Sequence, residues 1–340
     1  MMWQQQALQA LQKAFEWMET SEDAKPILQQ AYFQNRWFEE EQVRKAIAQW
    51  RVSLSDDEIS AWLQRYEWPE QKHNTHLGVI MAGNVPLVGL HDLVVGVLSG
   101  YRVSAKLASD DAILPKALLT KAAEFDGVWL AQISFVEQLK SLEVAIATGS
   151  NNSARYFSAY FKHIPHVIRN HRNGLAVLSG QETTEDFIAL GRDVFDYYGL
   201  GCRNITHLLV PEGYDFTPLF QCWDVHYADI QHHNKYINNF QYHRAMLLMN
   251  LDPHIDTGYV IAKENEALYA PVGMLHYSFY QNMDQVASKL KAWEAQLQCV
   301  VSNVEGIGAM PFGQAQCTML GDYADGLDTV QWLLDQSAHR

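Results

Sequence analysis

The spacing of hydrophobic residues changes along the chain near residue 75. Up to about Glu70, apolar and polar residues alternate with the three-to-four-residue period of amphipathic helices. Within this stretch, Ser55 followed by acidic residues at 56–58 predicts a helix start with a capping box. The N-terminal segment is therefore expected to be helical, and it carries no obvious chemistry.

Short apolar runs alternate with helical segments from residue 77 onward. Strands are expected at residues 77–81, 102–106, 143–147, 175–178 and 205–210, and helices at 87–98, 113–125 and 183–198. Alternation of this kind is typical of parallel, doubly wound sheets. The sequence thus predicts an α/β fold with two such lobes behind the helical N-terminal segment.

Chain length and composition agree with two lobes. With 340 residues, of which 48% are hydrophobic and 12% aromatic, the chain can fill two cores. No linker rich in proline or serine separates the lobes, so we expect them to pack closely and to leave a cleft between them. The predicted division places the N-terminal helices and the first lobe at residues 1–170, the second lobe at 171–312, and a C-terminal segment at 313–340.

Charge and cysteine usage exclude several classes of partner. The formal net charge of −14 argues against nucleic acid and anionic membranes, since both attract clustered Lys and Arg. The four cysteines are widely spaced without a CxxC pair, which fits neither a disulfide framework nor a zinc site. There is no signal-peptide pattern, and no apolar stretch approaches the roughly 20 residues that span a bilayer. We expect reduced thiols and a cytoplasmic location.

One cysteine has the surroundings of a nucleophile. Cys202 lies in Gly201-Cys202-Arg203-Asn204, between a predicted helix and a predicted strand. A thiolate attacks carbonyl groups, and the resulting oxyanion needs hydrogen-bond donors. The backbone N–H of Cys202 is one candidate donor, and the side-chain amide of Asn84, which precedes Val85-Pro86, is another. On spacing alone, a structural cysteine and a turn-forming asparagine are the alternative.

A turn of small residues, Thr148-Gly149-Ser150, joins the predicted strand at 143–147 to a predicted helix. The N-terminus of a helix offers backbone N–H groups and a positive dipole end to a phosphate. The turn lacks the full GxGxxG pattern, so an ordinary strand-to-helix connection is the alternative.

Taken in their order along the chain, these segments and Lys106 resemble the aldehyde dehydrogenase superfamily, and most closely its fatty acyl-CoA reductase branch, known from bacterial luciferase operons. The resemblance covers about residues 77–329. It implies an aldehyde dehydrogenase-like fold with an NAD(P)-binding lobe in 1–170 and a catalytic lobe in 171–312. It also implies that Cys202 forms a covalent acyl-enzyme and that Asn84 stabilises the oxyanion.

The resemblance extends to the cofactor. Lys106 and Ser109 match the superfamily positions that contact the adenosine ribose or its 2′-phosphate. Because position 109 is not a carboxylate, which would repel a 2′-phosphate, we expect NADPH, with NADH as the alternative. The residues Thr148, Gly149 and Ser150 are the candidate phosphate contacts. This assigns the adenosine and phosphate parts of the dinucleotide to the first lobe.

Two departures from the superfamily pattern carry information. Hydrolytic aldehyde dehydrogenases have a water-activating glutamate before the cysteine, but residues 150–181 contain no Asp or Glu. A thioester on Cys202 would therefore be exchanged with coenzyme A, which points to acyl-CoA reduction. The glutamate that holds the nicotinamide ribose is replaced by Ala267, and the preceding Glu266 is the candidate substitute. Segments 311–316 and 322–329 resemble the acyl-CoA reductase branch, without an assigned catalytic role.

Other functions remain open at this stage. Ala267 and the shortened chain ends are compatible with a non-catalytic protein that binds acyl-CoA or a nucleotide. A hydrolytic aldehyde dehydrogenase would need a base from elsewhere, for example Glu182, Glu185 or Asp186, which are expected away from the thiol. No metal is expected, because the histidines near residues 226–233 fit no ligand spacing. The expected partners are an acyl-CoA or acyl-carrier substrate, and a homo-oligomer is left open.

Overall fold

The chain divides into two units, seen in a computed structural model that describes residues 2–149 and 151–338, without the side chains of residues 151 and 338. Unit 1 contains the residues up to His171 together with those from Thr318 onward, and unit 2 contains Arg172–Cys317. The predicted C-terminal segment 313–340 is divided, because its first five residues belong to unit 2 and the rest to unit 1. The cleft between the lobes stays a prediction.

The N-terminal part of unit 1 is helical, as the hydrophobic spacing predicts. Four helices follow one another: α1 (Trp3–Thr20), α2 (Lys25–Gln34), α3 (Glu40–Ser53) and α4 (Asp56–Leu63). In α1 the buried residues Leu8, Leu11 and Phe15 recur every three to four positions. One face of the helix is therefore apolar and packs into the core, while the opposite face stays polar.

The predicted capping box at the start of α4 is wrong. Ser55 precedes the helix, but its side chain accepts no hydrogen bond from the first turn. That turn consists of Asp56, Asp57 and Glu58, whose negative charge interacts favourably with the N-terminal end of the helix dipole. The acidic first turn takes the place of the serine hydroxyl at this helix start.

Unit 1 contains a five-stranded parallel sheet. Its strands are β1 (His76–Ile80), β2 (Arg102–Lys106), β3 (Ile133–Phe135), β4 (Val144–Thr148) and β5 (His166–Arg169), in the order β3-β2-β1-β4-β5. The connecting helices are α5 (Leu90–Leu98), α6 (Ile113–Phe125), α7 (Val128–Ala131) and α8 (Asn151–Phe161). Along β4, Val144 and Ile146 join one core and Ala145 and Ala147 another, so both sheet faces are covered.

Helix α5 begins three residues later than the hydrophobic pattern predicts. Residues 84–89 form a turn in which Leu87 has a φ of +61°, in the left-handed region that a non-glycine residue rarely adopts. Apolar periodicity does not reveal such a turn, because Val85 and Leu87 are buried like the helix that follows. The predicted helix at 87–98 therefore becomes a turn followed by Leu90–Leu98.

Unit 2 contains a six-stranded sheet, with β6 (Asn173–Val177), β7 (Ile205–Pro211), β8 (Ile255–Asp256), β9 (Ile261–Glu264), β10 (Met274–Tyr280) and β11 (Leu297–Val301). Its helices are α9 (Thr184–Phe195), α10 (Thr217–His226), α11 (Asn234–Asn250) and α12 (Met283–Trp293). The strand order is β11-β6-β7-β10-β9-β8. All pairings are parallel except that of the short edge strand β8 with β9, so the predicted doubly wound α/β architecture is confirmed with one antiparallel edge.

Helix α9 is shorter than the predicted helix at 183–198. It starts with a capping box in which Thr183 and Asp186 exchange hydrogen bonds, and it ends at Phe195. Tyr197, Tyr198 and Gly199 then all have positive φ values of 52°, 58° and 75°, which no helix can contain. The chain reverses here, directly before the segment that carries Cys202.

The chain returns to unit 1 at Thr318 and then forms helix α13 (Thr329–Ala338). A buried ion pair holds this return in place. The Arg169 guanidinium at the end of β5 donates to both carboxylate oxygens of Asp92 in α5, at 3.1 and 2.7 Å, and also to the Thr329 hydroxyl and the Ala324 carbonyl oxygen. A bidentate pair with these additional acceptors leaves little of the guanidinium unsatisfied.

Within residues 2–149 and 151–338, no helix is long and apolar enough to cross a membrane.

We predict that Arg169→Leu lowers the free energy of unfolding by about 3–5 kcal/mol, because Asp92 is left as an unpaired buried charge. The double variant Asp92→Leu/Arg169→Leu should lose less than Arg169→Leu alone. Urea unfolding monitored by circular dichroism measures both. A double variant at least as unstable as the single one would show that the pair matters only for packing.

Candidate functional site

The candidate ligand contacts of unit 1 lie at one edge of its sheet. Ile80 at the end of β1 pairs with Lys106 on one side and with Ala147 on the other. Since neighbouring parallel strands lie about 4.8 Å apart and end at the same edge, the segments after β1, β2 and β4 emerge side by side. The strand order reverses between β1 and β4, and ligands of open α/β sheets bind at such a point.

Asn84 is exposed in the turn after β1, while Val85 and Pro86 beside it are buried. The turn is anchored by the buried Asp111, whose Oδ2 accepts a hydrogen bond of 2.6 Å from the backbone N–H of Leu87. Asp111 ends the turn Ser109–Asp111 that follows β2. One carboxyl group thus connects the Asn84 turn with the segment that carries Ser109.

Lys106 and Ser109 are both exposed, as a contact with a ligand requires. The backbone carbonyl of Lys106 accepts from the N–H of Met81, which fixes the strand end without using the side chain. The Ser109 hydroxyl donates to the Asp110 carboxylate at 3.3 Å. The Asp110 carboxylate places negative charge beside the position where a 2′-phosphate is expected.

Thr148 is the last residue of β4 and Gly149 follows it before α8; both are half-buried, whereas Ser150 lies outside the described residues. A Cβ atom added to Gly149 would lie 2.9 Å from atoms of both Phe157 and Ser153 in α8, so only glycine fits. The N–H of Gly149 donates to the carbonyl oxygen of Arg169 at 3.3 Å. The close approach brings the N-terminus of α8 to the sheet edge, where its dipole favours a phosphate group.

In unit 2, Cys202 occupies a turn directly before β7, where it is half-buried and forms no disulfide. Gly201-Cys202-Arg203-Asn204 is called the thiol turn below. The backbone N–H of Asn204 donates to the carbonyl oxygen of Gly201 at 3.1 Å, and the Gly201 N–H donates to the Asn204 side-chain oxygen at 2.8 Å. The two bonds close the turn around the cysteine.

The side-chain amide of Asn204 also caps helix α9. Its Nδ2 donates to the carbonyl oxygens of Asp193, Val194 and Asp196 at 3.1, 3.3 and 2.7 Å. The last carbonyls of a helix have no partner within the helix, and here one buried amide donates to two of them, those of Asp193 and Val194, and to the carbonyl of Asp196 directly after the helix. Asn204 therefore ends α9 and shapes the thiol turn at the same time.

Residues 313–315, part of the segment that resembles the acyl-CoA reductase branch, are held against this structure. The buried Asp193 accepts from the N–H groups of Gly313 and Ala315 at 2.6 and 2.9 Å. Arg203 donates to the Ala315 carbonyl oxygen at 3.2 Å. Burial raises the pKa of Asp193 to about 6, and the two backbone donors oppose that rise. Residues 313–315 are thus hydrogen-bonded both to the end of α9, through Asp193, and to the thiol turn, through Arg203.

The remaining cysteines are poorly suited to be thiolates. Burial raises the pKa of the Cys299 thiol to about 11, and its Sγ lies 3.5 Å from the carbonyl oxygen of Arg203. Burial also raises the pKa of Cys222, next to Glu185, and of Cys317, next to Asp193. These three thiols are disfavoured as nucleophiles at neutral pH.

The Glu266 segment of unit 2 rests on a buried polar network. Both carboxylate oxygens of Glu266 accept from the Lys289 ammonium, at 2.8 and 2.7 Å. The Ala267 carbonyl oxygen lies 3.1 and 2.8 Å from ring nitrogens of His207 and His276, which must carry their protons there. Burial lowers the pKa of His207 to about 4 and also lowers that of His276, so both rings are neutral at pH 7. The contact of Glu266 with the nicotinamide ribose stays a prediction. The ribose hydroxyl groups would compete with the Lys289 ammonium for the Glu266 carboxylate.

The carboxylates that a hydrolytic reaction would require lie at the other end of α9 from the thiol turn. Glu182 accepts from the backbone N–H groups of Ser179 and Gly180, and Asp186 belongs to the capping box. The helix has 12 residues and is therefore about 18 Å long. Asp196 lies nearer to the thiol turn and is half-buried.

Over the described residues, no group of three or more His, Cys, Asp or Glu side chains gathers as a metal site would need.

Sequence reasoning missed Asn204, Asp193 and Asp111 as supporting residues. Asn204 was visible as the polar residue directly before a predicted buried strand, because a buried asparagine must have its hydrogen bonds satisfied. The two aspartates gave no comparable signal, since their partners are backbone N–H groups distant in sequence.

No protein-family profile matches the sequence, and no curated protein matches it either. Solved structures do match its fold. Aldehyde dehydrogenase 21 from Physcomitrella patens, solved with the reaction product succinate, aligns with a TM-score of 0.67 and 11% identity over 99% of this chain and 84% of its own. An oxidoreductase from Marinobacter aquaeolei aligns with a TM-score of 0.66 and 11% identity, covering 93% and 78%. Mycobacterium tuberculosis aldehyde dehydrogenase, complexed with NAD+, aligns with a TM-score of 0.58 and 12% identity, covering 89% and 74%.

At these identities the structural matches show the fold. The chain has the α/β fold of aldehyde dehydrogenases, as the resemblance in its sequence predicts. Activity, cofactor preference and the roles of Cys202, Asn84, Lys106 and Glu266 do not follow from the fold.

We predict that Asn204→Ala lowers the free energy of unfolding of unit 2 by about 2 kcal/mol or more, since several buried backbone groups lose their partner. Asn239→Ala is the matched control, because that half-buried asparagine donates to the carbonyl of Lys235 in its own helix. Urea unfolding of both variants measures the difference. Equal, small losses would mean that the thiol turn does not depend on the Asn204 side chain.

Proposed function

We propose that this protein is an oxidoreductase of the aldehyde dehydrogenase type that reduces an acyl-CoA, or an acyl-carrier thioester, to an aldehyde. The observation that carries the proposal is the thiol turn: a half-buried Cys202 in a hydrogen-bonded turn, with Glu182 and Asp186 at the far end of α9. A thioester formed there lacks these bases for hydrolysis and would persist until it is reduced or transferred back to coenzyme A.

The proposed reaction begins with the Cys202 thiolate. It attacks the thioester carbonyl and forms a carbon–sulfur bond, and the tetrahedral oxyanion accepts hydrogen bonds from the Cys202 N–H and from the Asn84 amide. Collapse of this intermediate breaks the bond to coenzyme A, which leaves as a thiolate and takes up a proton. The enzyme then carries its acyl group as a thioester on Cys202.

A reduced nicotinamide cofactor supplies the hydride that converts this thioester to a hemithioacetal. The hemithioacetal forms as its oxyanion, which breaks the carbon–sulfur bond, releases the aldehyde and regenerates the Cys202 thiolate. The residues of unit 1 suit the dinucleotide, because the Gly149 approach and the N-terminus of α8 lie at the strand-order reversal. Lys106 is the proposed contact of the adenosine 2′-phosphate.

Two alternatives keep specific support. A non-catalytic binding protein is favoured by Ala267, which stands where the ribose-binding glutamate is expected, and by the ion pair that occupies Glu266. A hydrolytic aldehyde dehydrogenase would use Asp196, the half-buried carboxylate near the thiol turn, as its base. The first alternative would bind an acyl-CoA without forming product, and the second would convert an aldehyde to an acid without coenzyme A.

We expect the wild-type protein to oxidise NADPH in the presence of a long-chain acyl-CoA and to release free coenzyme A and aldehyde in equal amounts. Cys202→Ala should abolish this reaction but leave NADPH binding within a few-fold. Cys222→Ala, a change of a second half-buried cysteine, should retain the activity. Aldehyde and coenzyme A are measured by chromatography, and NADPH by its absorbance.

Three results would contradict this assignment. Activity in Cys202→Ala would remove the thiol from the mechanism. Acyl-CoA binding without turnover, over a panel of chain lengths, would favour the non-catalytic protein. Oxidation of aldehyde to acid without coenzyme A, lost in Asp196→Asn, would favour the hydrolytic enzyme.

The cofactor preference should depend on two neighbouring charges. Lys106→Ala should weaken NADPH binding roughly 10- to 100-fold more than NADH binding, because a charge-assisted bond to the 2′-phosphate contributes about 1.5–3 kcal/mol. Asp110→Asn should have the opposite effect and strengthen NADPH selectively, since it removes a carboxylate beside Ser109. Fluorescence titrations at low and high salt measure both, and salt should erode the preference. Equal losses for both cofactors in Lys106→Ala would refute the 2′-phosphate contact.

A further inference from the structure

Asp111 is a buried carboxyl group for which the proposed reaction has no use. It is only 3% exposed, and its Oδ2 accepts the 2.6 Å bond from the Leu87 N–H. Its other oxygen, Oδ1, is buried without any hydrogen-bond partner. Burying a carboxyl group with one backbone donor and one unsatisfied oxygen costs free energy of folding. A specific function of Asp111 would explain why the protein carries this cost.

The bond from Leu87 holds an unfavourable backbone conformation. Leu87 has a φ of +61°, and its Cβ makes this region unfavourable for a leucine. The same turn is packed tightly at both ends. A Cβ added to Gly83 would lie 2.4 Å from the Cβ of Ala108 and 3.2 Å from that of Asp111, and one added to Gly89 would lie 2.7 Å from the Cβ of Met81. At its Gly83 end, the turn therefore lies in close contact with the segment that carries Asp111.

Among the residues that the structure describes, none forms an ion pair with the Asp111 carboxyl. Burial raises its pKa to about 7, and the Leu87 N–H opposes this rise; no other group contributes. The turn at residues 82–89 has no charged residue. The charged or titratable residues on the elements around Asp111, namely strand β2, the Ser109–Asp111 turn and helices α2 and α6, are Lys25, Tyr32, Arg102, Lys106, Asp110, Lys116, Lys121 and Glu124.

We propose that Asp111 is a positioning residue that keeps the Asn84 turn closed while its carboxyl is neutral, and that ionisation of the carboxyl favours an open turn in which the carboxylate reaches water. Because the proton is held more tightly in the folded protein than in an unfolded chain, the stability contributed by neutral Asp111 is complete below pH 4. It is lost as the pH rises through about 7. The effect on catalysis rests on the proposed role of Asn84.

Hydrogen exchange of the peptide that covers residues 82–90 tests the proposal directly. In the wild type, the protection of this peptide, corrected for the intrinsic pH dependence of exchange, should fall several-fold between pH 6 and pH 8.5. Asp111→Asn keeps an oxygen acceptor for the Leu87 N–H without a titrating charge, so its protection should stay constant over this range. Asp111→Ala should be poorly protected at both values, and the control Asp110→Asn should behave like the wild type.

Thermal unfolding provides a second measure if Asp111→Ala fails to fold. The melting temperature of Asp111→Asn relative to the wild type should rise by at least about 4 °C between pH 5 and pH 8.5. An identical loss of protection in the wild type and Asp111→Asn would overturn the proposal, as would a constant difference in melting temperature.

Acylation of Cys202 by an acyl-CoA separates this proposal from the proposed function. The rate in the wild type, divided by that in Asp111→Asn, should fall above pH 7, and Asn84→Ala should lower the rate at every pH. If the wild type is never acylated, the proposed function fails while the exchange experiment still decides the role of Asp111. If acylation occurs with the same pH profile in Asp111→Asn, the positioning role in catalysis is refuted.

Discussion

The buried side chain of Asn204 is the interaction on which the candidate thiol site depends. It donates to two carbonyl groups in the last turn of α9 and to that of Asp196 directly after the helix, and it closes the thiol turn through the Gly201 N–H. Without it, the chain reversal through Tyr197 and Tyr198, both in the left-handed region, would leave polar backbone groups buried without partners. Asp193 adds a second support by holding Gly313 and Ala315 against the same helix end. The turn that carries Cys202 is therefore fixed by hydrogen bonds to the end of α9 and to residues 313–315.

The candidate ligand contacts of unit 1 follow from strand order instead. The segments after β1, β2 and β4 meet because these strands are neighbours in the sheet, although they are distant in sequence. Two further features fix the positions of the loops at this edge of the sheet. Gly149 allows α8 to approach, and Asp111 holds the Asn84 turn through Leu87. Glycine and a buried acceptor thus serve the same purpose, which is to fix exposed loop residues at one end of a sheet.

Much of the fold could be predicted from hydrophobic spacing, and less of the site could. The predicted strand at 102–106 and helix at 113–125 have the observed bounds, because apolar periodicity reports burial directly. The start of α5 and the end of α9 were missed, since left-handed residues such as Leu87 and Tyr198 have no signature in an apolar run. The capping box at Ser55 was wrong because a motif does not specify which hydrogen bonds form. Supporting residues such as Asp193 act on backbone groups about 120 positions away, which a single sequence cannot reveal.

The central claim is that Cys202 carries the acyl group covalently, and trapping that intermediate tests it most directly. The protein would be mixed with an acyl-CoA in the absence of any nicotinamide cofactor, quenched in acid and analysed by intact-mass and peptide mass spectrometry. The account predicts a single acyl adduct per chain that maps to Cys202 and is removed by hydroxylamine, as a thioester must be. An adduct on Cys222, Cys299 or Cys317, or no adduct with any acyl-CoA, would contradict it.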